Sequence, residues 1–170
     1  MNRKHTIEDY FLIYEKLKKV NKNIEVSSDF IIGYPGETEK DFQETLSLIN
    51  KIKFINSYSF IYSLRPGTVA AKLKNISKEI SEKRLKIIQA ELFKNQVEAN
   101  KDIEGKIIDV LVENQTKDKK KLFGRTSHMT SVIFDGDKKN IGKIVKVEIN
   151  NSSQNSLFGK IKLDENKKAA

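Results

Sequence analysis

Up to residue 104 this sequence contains three glycines, Gly33, Gly36 and Gly67, and over its whole length two prolines, Pro35 and Pro66. All five fall in two loops, and each loop follows an apolar run. Glycine opens backbone conformations that other residues avoid, and proline fixes one. The two loops therefore need special geometry, while the chain around them is free to form uninterrupted helices and strands. Asp29 to Ile32 reads as a buried strand, Gly33-Tyr-Pro-Gly36 as an abrupt turn, and Thr38-Glu-Lys-Asp41 as the start of a helix with a capping box. A strand that feeds a helix through a glycine-rich turn leaves N–H groups free at its C-terminal end, which is where α/β proteins hold ligands.

Taken in order, Thr6 to Val20 reads as a helix with its own capping box, Thr6 with Asp9, and an apolar stripe of Tyr10, Ile13, Tyr14 and Leu17. Ile24 to Gly33 reads as a strand, Thr38 to Ile52 as a helix whose Phe42, Leu46 and Ile49 face a core, and Ile55 to Tyr62 as a second strand. The second strand ends in the loop Ser63-Leu-Arg-Pro-Gly-Thr68. Helical crossovers imply that the two strands are parallel, with a right-handed connection. Ser77 caps a long helix reaching about Lys101, with Leu85, Ile88, Leu92 and Ala99 on its apolar face. At Gly105 the pattern changes to period two. Ile108, Val110 and Val112 alternate with polar residues. A lysine-rich turn follows, then Leu122 to Thr126, Val132 to Phe134, a turn at Asp135-Gly-Asp137, Ile144 to Ile149, and Leu157 to Leu163. Five short strands in about sixty residues predict a small five-stranded antiparallel barrel of OB-like size. The fold class is thus α/β followed by all-β, with residues 1–76, a connector helix 77–101, a barrel 102–165 and a tail 166–170.

The chain has no cysteine, which excludes disulfides and thiolate-held iron–sulfur or zinc sites within it. His5 and His128 lack ligand partners at metal spacing. No run of eighteen apolar residues exists to span a membrane. Met1 to His5 leads into an amphipathic segment rather than a signal peptide, and a cytoplasmic setting is the expectation. The net charge is +9. Eighteen basic against thirteen acidic residues up to Lys101 leave +5, and fourteen against ten after it leave +4. So even a spread fits either a solvated lysine-rich surface or a nucleic-acid surface.

Asp29-Phe-Ile-Ile-Gly-Tyr-Pro-Gly-Glu-Thr38, followed by Phe60-Ile-Tyr-Ser-Leu-Arg-Pro-Gly-Thr68, closely resembles the radical-SAM methylthiotransferases of tRNA. Met1-Asn-Arg3 resembles the segment just before the fifth barrel strand of that family. Gly105 to Leu163, with Phe123-Gly-Arg-Thr126 and a Gly142-containing fourth strand, resembles the TRAM domain that closes those proteins. Leu64 departs from the family, which has proline there, but Arg65-Pro-Gly-Thr68 is intact. The resemblance implies the last two βα units of a radical-SAM (TIM-like) barrel, a connector helix and a TRAM barrel. It also implies methylthiolation of an isopentenyl-adenosine beside the tRNA anticodon, using S-adenosylmethionine and two 4Fe–4S clusters. Both clusters need cysteines that this chain lacks, and two strands cannot close a barrel. The expectation is a portion that is inactive alone and works with tRNA and with a separate polypeptide or missing N-terminal part. The alternative is a non-catalytic RNA-binding module or remnant. A phosphate-binding α/β enzyme is disfavoured because no lysine sits beside the Gly33–Thr38 turn.

By resemblance, Ile31, Gly33, Tyr34, Pro35 and Gly36 form part of an S-adenosylmethionine site, with Gly33 admitting a flat ligand edge and Ile31 and Tyr34 giving an apolar face. The other reading is a tight strand-to-helix turn and nothing more. Glu37 is expected to favour the helix N-terminus through the dipole. Arg65 faces either an RNA phosphate or carboxylate, or an ion pair of the fold. Lys119, Lys120, Lys121 and Arg125 cluster around Phe123, and are read as RNA-binding residues if Phe123 is exposed for stacking, or as hairpin solvation if it is core. Asp29 is left open between backbone hydrogen bonding and the mouth of a barrel.

Overall fold

The computed structural model describes residues 3–162. Met1, Asn2, Leu163 and the expected tail lie outside the described residues. The chain forms two compact units that divide within one long helix, between Leu92 and Phe93.

In the first unit, α1 (Ile7–Val20), β1 (Asp29–Ile32), α2 (Glu39–Ile52), β2 (Tyr58–Ile61) and the first part of α3 (Lys78–Lys101) follow in order. Both capping boxes form. The Asp41 carboxylate accepts from Thr38 N at 2.8 Å while Thr38 Oγ1 accepts from Asp41 N at 3.2 Å, and Thr6 and Asp9 repeat the arrangement. β1 and β2 pair in parallel, Phe30 opposite Ser59 and Ile32 opposite Ile61. The strands are shorter than the sequence runs. Val26 and Ser28 accept single bonds from Ile55 and Tyr58, but the ladder starts only at Asp29.

Phe30 and Ile32 point to one face of the pair and meet Phe42, Ile49 and Ile52 of α2, Phe54, and Ile88 and Leu92 of α3. Tyr10, Phe11 and Tyr14 of α1 pack against this core, whereas Ile13 and Leu17 of the expected stripe stay 57% and 41% exposed. The other face of the pair is bare. Ile31, Tyr58 and Phe60 lie there 41%, 66% and 53% exposed, and Asp29 is exposed on the same face.

The second unit is a closed barrel of β3 (Ile107–Gln115), β4 (Leu122–Arg125), β5 (Ser131–Asp135), β6 (Ile144–Ser152) and β7 (Ser156–Ile161), in the order β3-β4-β5-β7-β6. The expectation of an antiparallel barrel is corrected here. β5 and β7 pair in parallel, Val132 beside Leu157, and the other four pairings are antiparallel. The reason is parity. Directions that alternate around a ring return to the starting sense only for an even number of strands, so a closed five-stranded barrel must contain a parallel pair. Alternation holds along each strand and fills the interior with Val110, Val112, Leu122, Val132, Phe134, Val147, Ile149 and Leu157.

The end of α3 belongs structurally to this barrel. Asn100 is 1% exposed, and its Nδ2 donates to the carbonyls of Ser153 at 2.7 Å and Gln154 at 2.9 Å, in the β6–β7 turn. Gln96 Nε2 donates to Asn100 Oδ1 at 3.0 Å. A polypeptide beginning at Asp102 would leave both carbonyls without this partner. We expect one beginning at Phe93 to be more stable by about 1–3 kcal/mol, measured by urea unfolding. Equal midpoints for the two would show that Asn100 contributes nothing.

Candidate functional site

Because β1 and β2 are parallel, the loops that follow them emerge on the same side. Tyr62 N donates to Ile32 O at 2.8 Å and carries the pairing one step past β2, so Gly33–Gly36 and Ser63–Thr68 lie side by side. Between them opens a cleft of about 870 Å³, lined by Ile31, Tyr34, Phe60, Ile61, Tyr62, Ser63, Arg65, Thr68, Val69 and Ala70. Its walls are largely apolar and aromatic. The Tyr34 and Tyr62 rings meet edge to face at 5.2 Å, and Tyr58 stacks beside Phe60 at 6.4 Å. The structure thus brings Ile31, Tyr34 and Arg65 to one cleft. Arg65 is exposed and, among the described residues, makes no ion pair. The loop beside it is closed by Thr68, whose hydroxyl donates to Arg65 O at 2.8 Å.

Gly33, Pro35 and Gly36 are not among the lining residues; they shape the turn. Gly33 and Pro35 are buried, and Gly36 is exposed. Gly33 has φ +74°, and a Cβ there would run into the Ser81 hydroxyl of α3. A conformation that L side chains rarely adopt and a helix packed against Cα both favour glycine at this place.

Besides the dipole role expected of it, Glu37 holds the turn through its side chain. One carboxylate oxygen accepts from Gly33 N at 2.9 Å, the other from Arg84 Nη1 at 2.7 Å. Arg84 also donates to Glu37 O at 3.3 Å and to Glu39 Oε2 at 2.9 Å, with its guanidinium 5.2 Å from the Phe42 ring centre. The side chains of Arg84 and Glu37 are only 9% and 12% exposed. Burial works against the charge of Arg84, but the hydrogen bonds to Glu39 and Glu37 outweigh it and hold the guanidinium above its usual value. Glu39 is held below the usual carboxylate range by hydrogen bonds from Gln43 and then Arg84. The sequence reading missed Arg84, a single cation on a helix rich in cations. The available signal was its place beside Leu85 and one turn before Ile88, on the flank of the apolar stripe.

On the barrel the basic cluster divides. Lys119, Lys120 and Lys121 are exposed in the β3–β4 turn and, among the described residues, form no ion pair. Arg125 is committed. Its Nε lies 3.3 Å from Glu113 Oε2, its Nη1 donates to Met129 O at 3.1 Å, and its guanidinium sits 5.5 Å from the Phe123 ring centre. Phe123 is half-buried on the outer face, because Leu122 and Gly124 on either side of it turn inward. It is not part of the barrel core. In register with it across β5 and β7 stand Ile133 and Phe158. His5 and His128 are both exposed. Among the described residues no three of His, Cys, Asp and Glu are grouped so as to hold a metal ion, and no helix is long and apolar enough to cross a membrane.

Residues 101–162 match the TRAM domain family. Over all 170 residues the chain is 64% identical to a tRNA-2-methylthio-N(6)-dimethylallyladenosine synthase of Pelagibacter ubique (strain HTCC1062), covering 38% of that protein. The synthases of the same name from Orientia tsutsugamushi (strain Boryong) and Clostridium novyi (strain NT) are 44% and 43% identical, each over 95% of this chain and 36% of the relative. The chain thus spans under two-fifths of the length of the curated relatives it matches.

Proposed function

This chain matches the C-terminal part of tRNA-2-methylthio-N(6)-dimethylallyladenosine synthases and carries a TRAM domain, and on that premise we propose that it supplies the last two βα units of a radical-SAM barrel and the tRNA-binding TRAM barrel of such an enzyme. The observation that carries this reading is the bare face of the β1–β2 pair. Ile31, Tyr58 and Phe60 are apolar and exposed, although on the opposite face of the same strands Phe30 and Ile32 are buried in the core and Ser59 and Ile61 are half-buried. In a complete barrel that face turns inward and is covered by side chains of the other strands. The relatives contain the additional length such strands need.

The cleft suits one edge of an adenosyl ligand. Ile31 and Tyr34 would flank the base, and the exposed Arg65 would meet a carboxylate or an RNA phosphate. S-adenosylmethionine would bring the radical and methyl chemistry of this enzyme class. The residues of this chain do not fit an iron–sulfur cluster, because there is no cysteine. In this reading the chain does not methylthiolate alone, acts in the cytoplasm, and requires the N-terminal portion, covalently joined or as a separate polypeptide.

The test is assembly. The part of the Pelagibacter ubique relative that precedes its matched segment is mixed with this chain and followed by sedimentation velocity. We expect a one-to-one complex, and an at least tenfold loss of affinity on replacing Tyr58 and Phe60 by Lys. A chain that stays monomeric, with unchanged Tyr58 and Phe60 accessibility in the mixture, would remove the partial-barrel reading.

A further inference from the structure

Glu37 closes the Gly33–Gly36 turn from both directions. Its backbone N donates to Tyr34 O at 2.9 Å and its side chain accepts from Gly33 N. Within the turn, Gly33 N engages only one oxygen of this carboxylate. The other is held from α3, forty-seven residues along the chain, where Arg84 grips Glu37 and Glu39 together. One turn earlier on the same helix, Ser81 packs against the Cα of Gly33 and donates to Ser77 O at 3.1 Å. The turn in question carries Tyr34, a wall of the cleft.

We propose that Arg84 is a positioning residue for the cleft: by holding Glu37 against Gly33 it fixes the turn that presents Tyr34, so ligand binding depends on a side chain that does not line the cleft. The part about ligand rests on the reading of the cleft as an adenosyl site. The part about the turn does not.

Arg84 pairs with Glu37 and Glu39 and also acts on Asp41 at the start of α2, while Lys83 on α3 acts on Glu39 and Lys40 on α2 acts on Asp41. Removing Arg84 leaves three carboxylates, with Lys83 acting on Glu39 and Lys40 on Asp41. Glu37, nearly enclosed, would then keep its place only when protonated. As pH rises it ionises, moves to water, and releases Gly33 N. Arg84→Gln should therefore open the turn in a pH-dependent way. Glu37→Gln in the same background cannot titrate and should remove that dependence. Arg84→Lys retains a charge and should keep the behaviour flat with pH, at lower protection, since one ammonium cannot span both carboxylates.

Amide hydrogen exchange of the peptide 30–37 in the full chain, corrected for intrinsic rates, reads this directly. The expected result for Arg84→Gln is exchange at least tenfold faster than wild type at about pH 8, shrinking towards wild type at about pH 5. Binding of S-adenosylhomocysteine should weaken at least tenfold at the upper pH and little at the lower. Exchange that is unchanged, or faster by one factor at every pH, would overturn the proposal and reduce Arg84 to packing on Phe42. If wild type does not bind S-adenosylhomocysteine, the adenosyl reading fails, while the exchange experiment still decides the clamp.

Discussion

Replacing Gly124 by Ala is expected to lower the melting temperature of the barrel by roughly 12–24 °C and to leave the first unit folded. A Cβ at Gly124 would strike the carbonyl oxygen of Leu111 on β3 and stand 2.7 Å from Val110 Cγ1. Gly159 repeats this against the carbonyl of Glu148 and Val147 Cγ1 on β6. The two sites are equivalent for a structural reason. β3 and β6 are nine residues each, and both leave one partner for another along their length. β3 pairs with β6 up to Leu111 and with β4 from there on, with a bulge between Val112 and Asn114. β6 leaves β3 for β7 with a bulge between Ile149 and Asn151. A five-stranded sheet closes only if its long strands bend sharply, and at each bend the neighbouring strand presses close enough to need a residue without Cβ.

The obstacle is backbone rather than a flexible side-chain end, so relaxation must move β3. An overpacking cost at the upper end of the usual range, about 3 kcal/mol, stands against a total of roughly 4–12 kcal/mol for a unit of this length. The readout can be made specific, because all five tyrosines lie in the first unit and there is no tryptophan. Tyrosine near-UV circular dichroism should persist through the temperature at which the barrel's exchange protection is lost. Gly142→Ala is the control. Its φ of +81° carries the left-handed penalty, but a Cβ there meets nothing, so about 1–2 kcal/mol is expected. A Gly124→Ala shift no larger than that of Gly142→Ala would show that the strands separate freely.

What could be read in the sequence was what short-range chemistry determines. The two capping boxes, the turn at Gly33–Gly36 and the inward alternation of Val110, Val112 and Leu122 each follow from residues a few positions apart, and the structure contains all of them. The loops that form the cleft were legible because glycine and proline leave few other conformations. What depends on distant partners was not. Strand runs from Ile24 and Ile55 look continuous, yet pairing begins at Asp29 and Tyr58, because a lone two-stranded ladder supports only part of each run. Ile13 and Leu17 have the spacing of a buried stripe, but none of the described elements covers them. Arg84 becomes a clamp only through Glu37, which is nowhere near it in sequence. The antiparallel barrel failed on a global constraint: the five strands were legible, but closing an odd number of them into a ring forces one parallel pair.

Replacing Lys119, Lys120 and Lys121 by Ala should weaken binding of tRNA and unrelated RNA alike, and flatten the dependence of log K on log salt by roughly two to three units, about 0.7–0.9 for each phosphate no longer neutralised. Arg125 is left out of the set because it already serves Glu113 and the Met129 carbonyl. Among the described residues the three lysine side chains form no ion pair. The turn beneath them is built by other residues. Thr116 N donates to Lys121 O at 2.9 Å, Lys121 N to Thr116 Oγ1 at 3.2 Å, and Lys120 N to Asp118 Oδ1 at 3.2 Å. Hydrogen bonds from the Thr116 hydroxyl and Lys120 N hold the Asp118 carboxyl below its usual range, so the turn keeps its brace at any pH where RNA binding would be measured. Alanine at the three positions removes charge and spares these bonds; at Lys119, whose φ is +56°, lysine already bears the left-handed strain, so alanine adds none. Fixed contacts to phosphate carry no base information, which is why the effect should be the same for every sequence. Phe123, Ile133 and Phe158 beside the turn offer an apolar strip, and any contribution from stacking there is insensitive to salt. Filter binding between 50 and 200 mM salt separates the two effects: the triple variant should show a shallower slope, whereas Phe158→Ala should lower affinity at every salt concentration with the slope unchanged. A folded triple variant with the wild-type slope would mean that the lysines only solvate the turn, and would shift the search for the RNA-binding surface to Arg65 at the cleft.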